Sequence, residues 1–295
     1  MREHTPVLLK EAVEFLDPGP GKKYIDATLG MGGHAKELLK AGARVLGIDF
    51  DPSVIPDSRP PGLRPGEVGQ VIRDPDLDSR LRGNDLKVVA GNFAEIKRLA
   101  EEHDFLEVDG ILFDLGLGSH QLDDEKRGFS FRSAGPLDMR YDQQSENTAS
   151  HIVNFYPEKD LIRIFYQYGE EKRFGKKIAR AIMIKRKEGT IDTTLDLFEI
   201  IKHTLPGQLR FKAGDTARKV FQALRIEVND ELANLEKGLR QAVPLLKKGS
   251  KGGRLVVVSF HSLEDRIVKQ FFVSQARDCV CPPSFPVCIC TAHAS

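Results

Sequence analysis

Short apolar runs recur along the chain, each stopping at an acid or a glycine turn, and between them lie stretches with the three-to-four-residue period of helices. Tyr24 to Asp26, Arg44 to Ile48, Leu86 to Ala90, Gly110 to Phe113 and residues 254 to 259 read as strands. Gly110 to Phe113 is continuously apolar, as in a parallel strand buried on both faces, and 254 to 259 also reads as a buried strand. Ala35 to Ala41 and Ala94 to Glu102 read as helices, and Val7, Leu8, Ala12, Val13 and Leu16 give the segment from His4 to Leu16 the apolar face of a docking helix. From Gln121 to about Asp215 the pattern is helical and lacks sheet-like runs, and Thr216 to Leu246 holds two more amphipathic helices. The pattern predicts an α/β fold with a mostly parallel sheet and an inserted helical domain. The first part of the sheet domain spans 1–120, the insert 121–215, and the second part 216–295 with a cysteine-rich tail. Periodicity fails between Pro52 and Asp85, where six prolines stop any helix. Residues 55–85 are therefore expected to be an irregular excursion.

Three strand ends carry the candidate chemistry. The strand ending at Asp26 runs into a turn containing Gly30, Gly32 and Gly33 and then a helix, and the next strand delivers Asp49 about twenty residues on. Backbone amides at such a turn accept close approach of a ligand, and the acid can take both hydroxyls of a ribose. The spacing suits an adenosyl group, and a dinucleotide such as NAD fits it equally. Phe93 follows the third strand, either against a flat ring or as a core residue. The Gly110 strand ends at Asp114, at the carboxyl edge where open α/β sheets bind ligands, and Gln121, Arg127, Phe129, Phe131, Asp138 and Arg140 crowd the twenty-odd residues beyond. The last strand runs into PheHisSerLeuGluAspArg, with Ser262 expected as N-cap and Asp265 at the third helical position. His261 reads as a base, a substrate contact or a plain capping-loop histidine.

Composition adds constraints. In 295 residues, 40% hydrophobic, there is enough apolar material for two cores. No apolar run reaches the roughly 20 residues of a membrane span, and the amino terminus carries acids where a signal peptide needs an apolar stretch, so a cytoplasmic location is expected. A net charge of +1 means that nucleic-acid binding must come from a local patch. Residues 172 to 187, KRFGKKIARAIMIKRK, are such a patch: eight cations and no acid, either a solvated face or a phosphate track. The four cysteines, Cys279, Cys281, Cys288 and Cys290, form two close pairs that can hold zinc. Their spacing is not a common zinc-ribbon pattern, and a tail without metal is the favoured reading.

The ordered motifs carry a resemblance. HisThrProValLeuLeu from residue 4, AspAlaThrLeuGlyMetGlyGlyHis from 26, AspPheAsp at 49, GlyAsnPhe at 91, AspLeuGly at 114, GlnLeuAsp at 121 and ArgGlyPheSerPhe at 127 are the first of them. ProLeuAspMetArg at 136, TyrGlyGluGlu at 168, PheGlnAlaLeuArgIle at 221 and SerPheHisSerLeuGluAspArg at 259 complete the series. Together they resemble the RsmH (MraW) family of S-adenosylmethionine-dependent methyltransferases. The resemblance implies a class I methyltransferase fold, Rossmann-like with an inserted helical domain, and methylation of the N4 amino group of a cytosine in the decoding region of small-subunit ribosomal RNA. It implies cofactor contacts at Gly32, Gly33, His34, Ala35, Asp49, Phe93, Asp114 and Gln121. The step it implies is direct in-line transfer with an acceptor beside the amino nitrogen, for which Asp114 leads and Ser119, Asp138 and His261 follow. The target base must be unstacked, with Phe129 or Phe131 as stacking partners. Three features depart from the family pattern: the proline-rich stretch, Gly118 in place of a serine, and a chain that stops soon after CysIleCys, so that the last two sheet strands are expected to be missing and the fifth strand's edge unpaired. Other readings are a non-catalytic RNA-binding relative and an NAD-dependent dehydrogenase. Whether the protein is a monomer or a homodimer stays open.

Overall fold

A computed structural model describes residues 6–51, 85–118, 121–122, 124–249 and 252–276. The chain forms two compact units, one of Met1–Gly116 with Leu232–Ser295 and one of Leu117–Glu231.

The first unit is built on a parallel sheet of five strands, β1 (Lys23–Asp26), β2 (Arg44–Asp49), β3 (Leu86–Ala90), β4 (Gly110–Asp114) and β5 (Arg254–Val258), in the order β3-β2-β1-β4-β5. The expected α/β sheet is therefore present. Strand alternation sorts the side chains onto two faces. Tyr24, Val45 and Leu112 pack with α1 (Leu9–Leu16) and α2 (Gly33–Lys40) through Ala12, Leu16, Leu38 and Leu39. Ile25, Leu46, Ile111 and Phe113 point the other way, against Leu99 of α3 (Ile96–Glu102) and further residues toward the carboxyl end, Leu235, Leu239 and Val268. Successive crossovers carry the chain outward from β1 to β3 and then back to β4, so the order reverses between β1 and β4. Crevices outside the carboxyl ends at such a reversal are where these sheets take ligands. Among the described residues nothing pairs with the outer edge of β5, whose first four residues are exposed or half-buried.

The second unit is helical: α4 (Ala149–Phe155), α5 (Glu158–Gln167), α6 (Gly175–Lys185), α7 (Thr194–Thr204) and α8 (Ala213–Asn229). Its expected end at 215 is too early. Ala217, Val220, Phe221 and Leu224 of α8 are buried with Ile164, Phe165, Ile178 and Ile182 in one core, so α8 belongs wholly to this unit. Arg225 then pairs with both oxygens of Glu231 at 2.8 and 2.9 Å, closing the unit. The segment before α4 is tied down by an isolated bridge between Pro136 and Thr193 and by Gly128, which sits at φ 70° where an added Cβ would lie 2.0 Å from the carbonyl oxygen of Pro136. Two further helices, α9 (Glu231–Ala242) and α10 (Ser262–Gln275), complete the chain. No helix among the described residues is long and apolar enough to cross a membrane. The proline-rich stretch, from 52 to 84, and all four cysteines lie outside the described residues.

Candidate active site

Three carboxylates end three neighbouring strands: Asp26 on β1, Asp49 on β2 and Asp114 on β4. Asp26 is fully buried, and its carboxyl is pushed up to about 7, by burial first and then by the charges of Asp114 and Asp49; the amides of Thr28 and Ala35 pull against this. The negative charge at this edge is thus concentrated enough for the three acids to feel one another.

The glycine turn is fastened to that edge by the same acids. The Gly30 amide donates to Asp49 Oδ2 at 2.7 Å and the Asp51 amide to Oδ1 at 2.8 Å. Thr28 Oγ1 accepts from the Asp114 amide at 2.6 Å, holding the start of the turn against the end of β4. Gly30 and Gly32 take positive φ angles of 50° and 72°, and a Cβ at Gly33 would meet Pro6 at 2.3 Å. The bend needs glycine for conformation at the first two and for room at the third.

His34 follows in the first turn of α2 and is 4% exposed. Its Nδ1 lies 3.5 Å from Asp114 Oδ2, and its Nε2 meets no hydrogen-bond partner among the described residues. Burial lowers its pKa, which favours the neutral ring. A neutral imidazole with its proton on Nδ1, facing the carboxylate, presents Nε2 as an acceptor. Ala35 is wholly buried beside it. Phe93 is half-buried, edge-on to Phe113 at 5.6 Å and packed where a Cβ on Gly238 would lie 2.9 Å from its ring. Part of this side chain is packed in the core and part is exposed.

The remaining expected site residues are placed differently. His261, not Ser262, caps α10: its side chain accepts from the Glu264 amide at 3.4 Å while Glu264 accepts from the amides of Phe260 and His261 at 2.8 and 3.3 Å. Glu264, not Asp265, therefore holds the third helical position, because the strand releases the chain one residue earlier than the sequence spacing suggests. The other ring nitrogen of His261 lies 3.2 Å from Glu264 Oε1, so the same glutamate faces both sides of the ring. In the helical unit, Asp138 binds Arg140 through both oxygens at 2.8 and 2.7 Å. Burial raises its carboxyl, but the Arg140 hydrogen bonds and charge, helped by Arg127, outweigh it and the net direction is down. Gln121 is buried and takes the Gly118 amide at 3.2 Å. Ser119 lies outside the described residues. The rings expected to stack a base already have partners within the unit's core. Phe131 stacks on Phe198 at 5.3 Å and 3°, and Phe129 is 7% exposed beside Tyr141.

Two members of the site were given no role on sequence grounds. Asp26 and Thr28 both stand in the quoted AspAlaThrLeuGly motif, and an acid at the end of a strand bordering the order reversal is the signal that singles out Asp26.

The electrostatics of this edge discriminate between the adenosyl ligands that fit the turn. A dinucleotide brings an anionic pyrophosphate toward Asp49, Asp114 and the partly protonated Asp26, whereas a donor with a sulfonium and an ammonium brings positive charge to them. The residues present fit the second. Comparison with known proteins agrees, since the whole chain, residues 1–295, matches the MraW methylase family. The chain belongs to that family. It is 46% identical over 288 residues to the ribosomal RNA small subunit methyltransferase H of Carboxydothermus hydrogenoformans, covering 97% of this chain and 86% of that protein. It is 48% identical over 290 residues to the protein of the same name from Thermomicrobium roseum, 97% of this chain and 82% of that one. With the family comes a methyl donor, and the MraW methylase fold accounts for a parallel sheet carrying acids at its carboxyl edge.

Proposed function

We propose that the protein transfers a methyl group from S-adenosylmethionine to the N4 amino group of a cytosine in the decoding region of small-subunit ribosomal RNA. The observation that carries the reading is the trio Asp26, Asp49 and Asp114 around a glycine turn at the sheet's order reversal, in a chain of the MraW methylase family. A cytoplasmic location belongs to the same reading, since that is where small ribosomal subunits are reached.

S-adenosylmethionine supplies a methyl group already activated by its sulfonium. What remains for the protein is alignment and handling of one proton. Asp49, at the end of β2 beside the glycine turn, would accept the ribose hydroxyls. Phe93 lies along the adenine, and the glycine turn with His34 and Ala35 receives the amino-acid end. Asp114 accepts a hydrogen bond from the cytosine amino group, drawing its nitrogen lone pair out of conjugation and taking up the proton that leaves. Asp138 and His261 act structurally in this scheme, because Arg140 engages both oxygens of the first and helix capping occupies the second.

The test is incubation of the protein and labelled S-adenosylmethionine with small ribosomal subunits lacking the modification, followed by mapping of the methylated base. Label on N4 of one decoding-region cytosine is the expected result. Binding of subunits with no label incorporated would overturn the catalytic reading in favour of a non-catalytic RNA-binding relative, and a melting temperature raised by NAD but not by S-adenosylmethionine would overturn the donor.

A further inference from the structure

Several cations on the surface of this protein sit beside an acid one helical turn away. Lys40 pairs with Glu37, Arg98 with Glu95 and Glu102, Lys202 with Glu199, Arg218 with Asp215, Arg240 with Glu236 and Lys269 with Asp265. Such pairing neutralises a surface.

The α6 segment is different. Its buried face is Gly175, Ile178, Ala179 and Ile182, which leaves Lys172, Arg173, Lys176, Lys177 and Arg180 exposed along the opposite side. Among the described residues no carboxylate lies within 4 Å of the charged groups of Lys172, Arg173, Lys176 or Lys177, although Glu171 accepts from the Arg173 backbone amide at 3.1 Å, and Arg180 has only a 3.8 Å approach to Glu158. Lys176 and Arg180 are one turn apart, about 6 Å along the axis, so their charges form a row. At the start of that row Lys172 Nζ stands 5.7 Å from the centre of the Tyr166 ring, and that ring is 53% exposed. An open aromatic face beside a row of uncompensated cations is the combination that single-stranded nucleic acid uses, with phosphates on the cations and a base on the ring.

From this placement we infer that Tyr166, Lys172, Lys176, Lys177 and Arg180 form the helical unit's docking surface for a single-stranded segment of the ribosomal RNA. The inference rests on the RNA-methylating reading above and adds to it residues that hold the substrate RNA. Tyr166 here stacks a base of the docked segment, a role separate from the target-base stacking expected of Phe129 and Phe131, whose rings are engaged in the core.

The test compares wild type, a triple Lys176→Gln, Lys177→Gln, Arg180→Gln variant, and a control triple Lys40→Gln, Lys97→Gln, Lys237→Gln that removes equal charge from the sheet unit. Binding to unmodified small ribosomal subunits is measured against salt concentration. Single-strand phosphate contacts contribute about 0.7 each to the slope of log K against log salt, so the α6 triple should flatten it by about 2 and weaken binding at least tenfold, with the control nearly unchanged. Tyr166→Ala should weaken binding roughly 5- to 150-fold and Tyr166→Phe should restore it. The melting-temperature rise given by S-adenosylmethionine should be the same in all of them, which shows that the fold and donor site are intact. Equal affinity and salt slope in the α6 and control triples would overturn the surface and leave the function standing. Wild-type protein that binds no small subunit would overturn the function, and the surface with it.

Discussion

His34 Nδ1 lies 3.5 Å from Asp114 Oδ2, which joins the first turn of α2 to the carboxyl end of β4 across the point where the strand order reverses. The Asp114 amide is held separately, by Thr28 Oγ1. Backbone and side chain of Asp114 are thus secured by different partners, and the carboxylate can be changed without releasing the strand end. Asp114→Asn should keep the melting temperature within a few degrees and keep binding of S-adenosylmethionine, while methyl transfer in single turnover falls about 10²- to 10⁴-fold. Near-normal turnover would remove Asp114 from proton handling.

Asp26 and His34 should give stability opposite dependences on pH. Asp26 has its carboxyl raised to about 7 in the folded protein, from 3.8. The folded state therefore holds that proton more tightly than the unfolded one, and the contribution is full below pH 3.8 and lost as pH rises through 7. His34 is lowered by burial, so its contribution is present at high pH and lost as pH falls below 6.5. Asp26→Asn keeps a side-chain oxygen for the Thr28 amide, which now reaches Oδ1 at 3.3 Å. The variant should gain on wild type as pH rises from 5 to 8, by on the order of a few kcal/mol at the upper end. Thermal melts across that range decide it, and parallel curves would mean that Asp26 is ionised throughout.

How much of this was legible beforehand follows from what each signal depends on. β1, β2 and β4 are buried along most of their length, β3 and β5 are short apolar runs only partly covered, and such runs write themselves into local sequence, so all five were found within a residue or two. Asp49 and Asp114 were readable because each interrupts such a run. The end of the helical unit was not, because α8 is amphipathic whichever core it serves, and only the packing of Val220 and Leu224 on Ile164 and Ile182 assigns it. Nor was the engagement of Phe131 with Phe198, which are 67 positions apart in sequence and stack only once the helices assemble. His261 as N-cap escaped for a third reason. Histidine is a rare cap, and the serine beside it offers the commoner pattern one residue late.

Asp49 should separate donor binding from stability only partly. Its two oxygens satisfy the amides of Gly30 and Asp51, so Asp49→Ala leaves both without their acceptor and lets the turn loosen. A cost of about 1–3 kcal/mol in denaturant unfolding is expected from those amides. Calorimetry should also show S-adenosylmethionine affinity reduced at least tenfold, because the ribose acceptors go with the carboxylate. A variant equally stable and equally avid for the donor would show that neither the turn nor the ribose depends on this residue.

Gly128 offers a test in the helical unit that involves no chemistry. It occupies φ 70°, and an added Cβ would come 2.0 Å from the Pro136 oxygen and 2.9 Å from the Asp138 amide. Both are backbone atoms and cannot swing away as a side chain can. The neighbouring chain is also held: the Met139 amide donates to the Arg127 carbonyl at 3.0 Å, and the Arg127 guanidinium donates to the carbonyls of Arg140 and Tyr141 at 3.0 and 3.2 Å. Relief of the clash must therefore move residues 136–141 away from the turn and strain the Asp138 and Arg140 pair. Gly128→Ala is expected to cost about 3 kcal/mol or more, left-handed backbone strain adding to overpacking. Gly214 is the matched control, lying near the start of α8 with nothing within 4 Å of an added Cβ. Gly214→Ala should stabilise the protein by about 0.5–1 kcal/mol, because alanine loses less backbone entropy in a helix. Chemical denaturation of both variants checks the pair, and a Gly128→Ala protein as stable as wild type would mean that the segment from Gly128 to Pro136 is free to open.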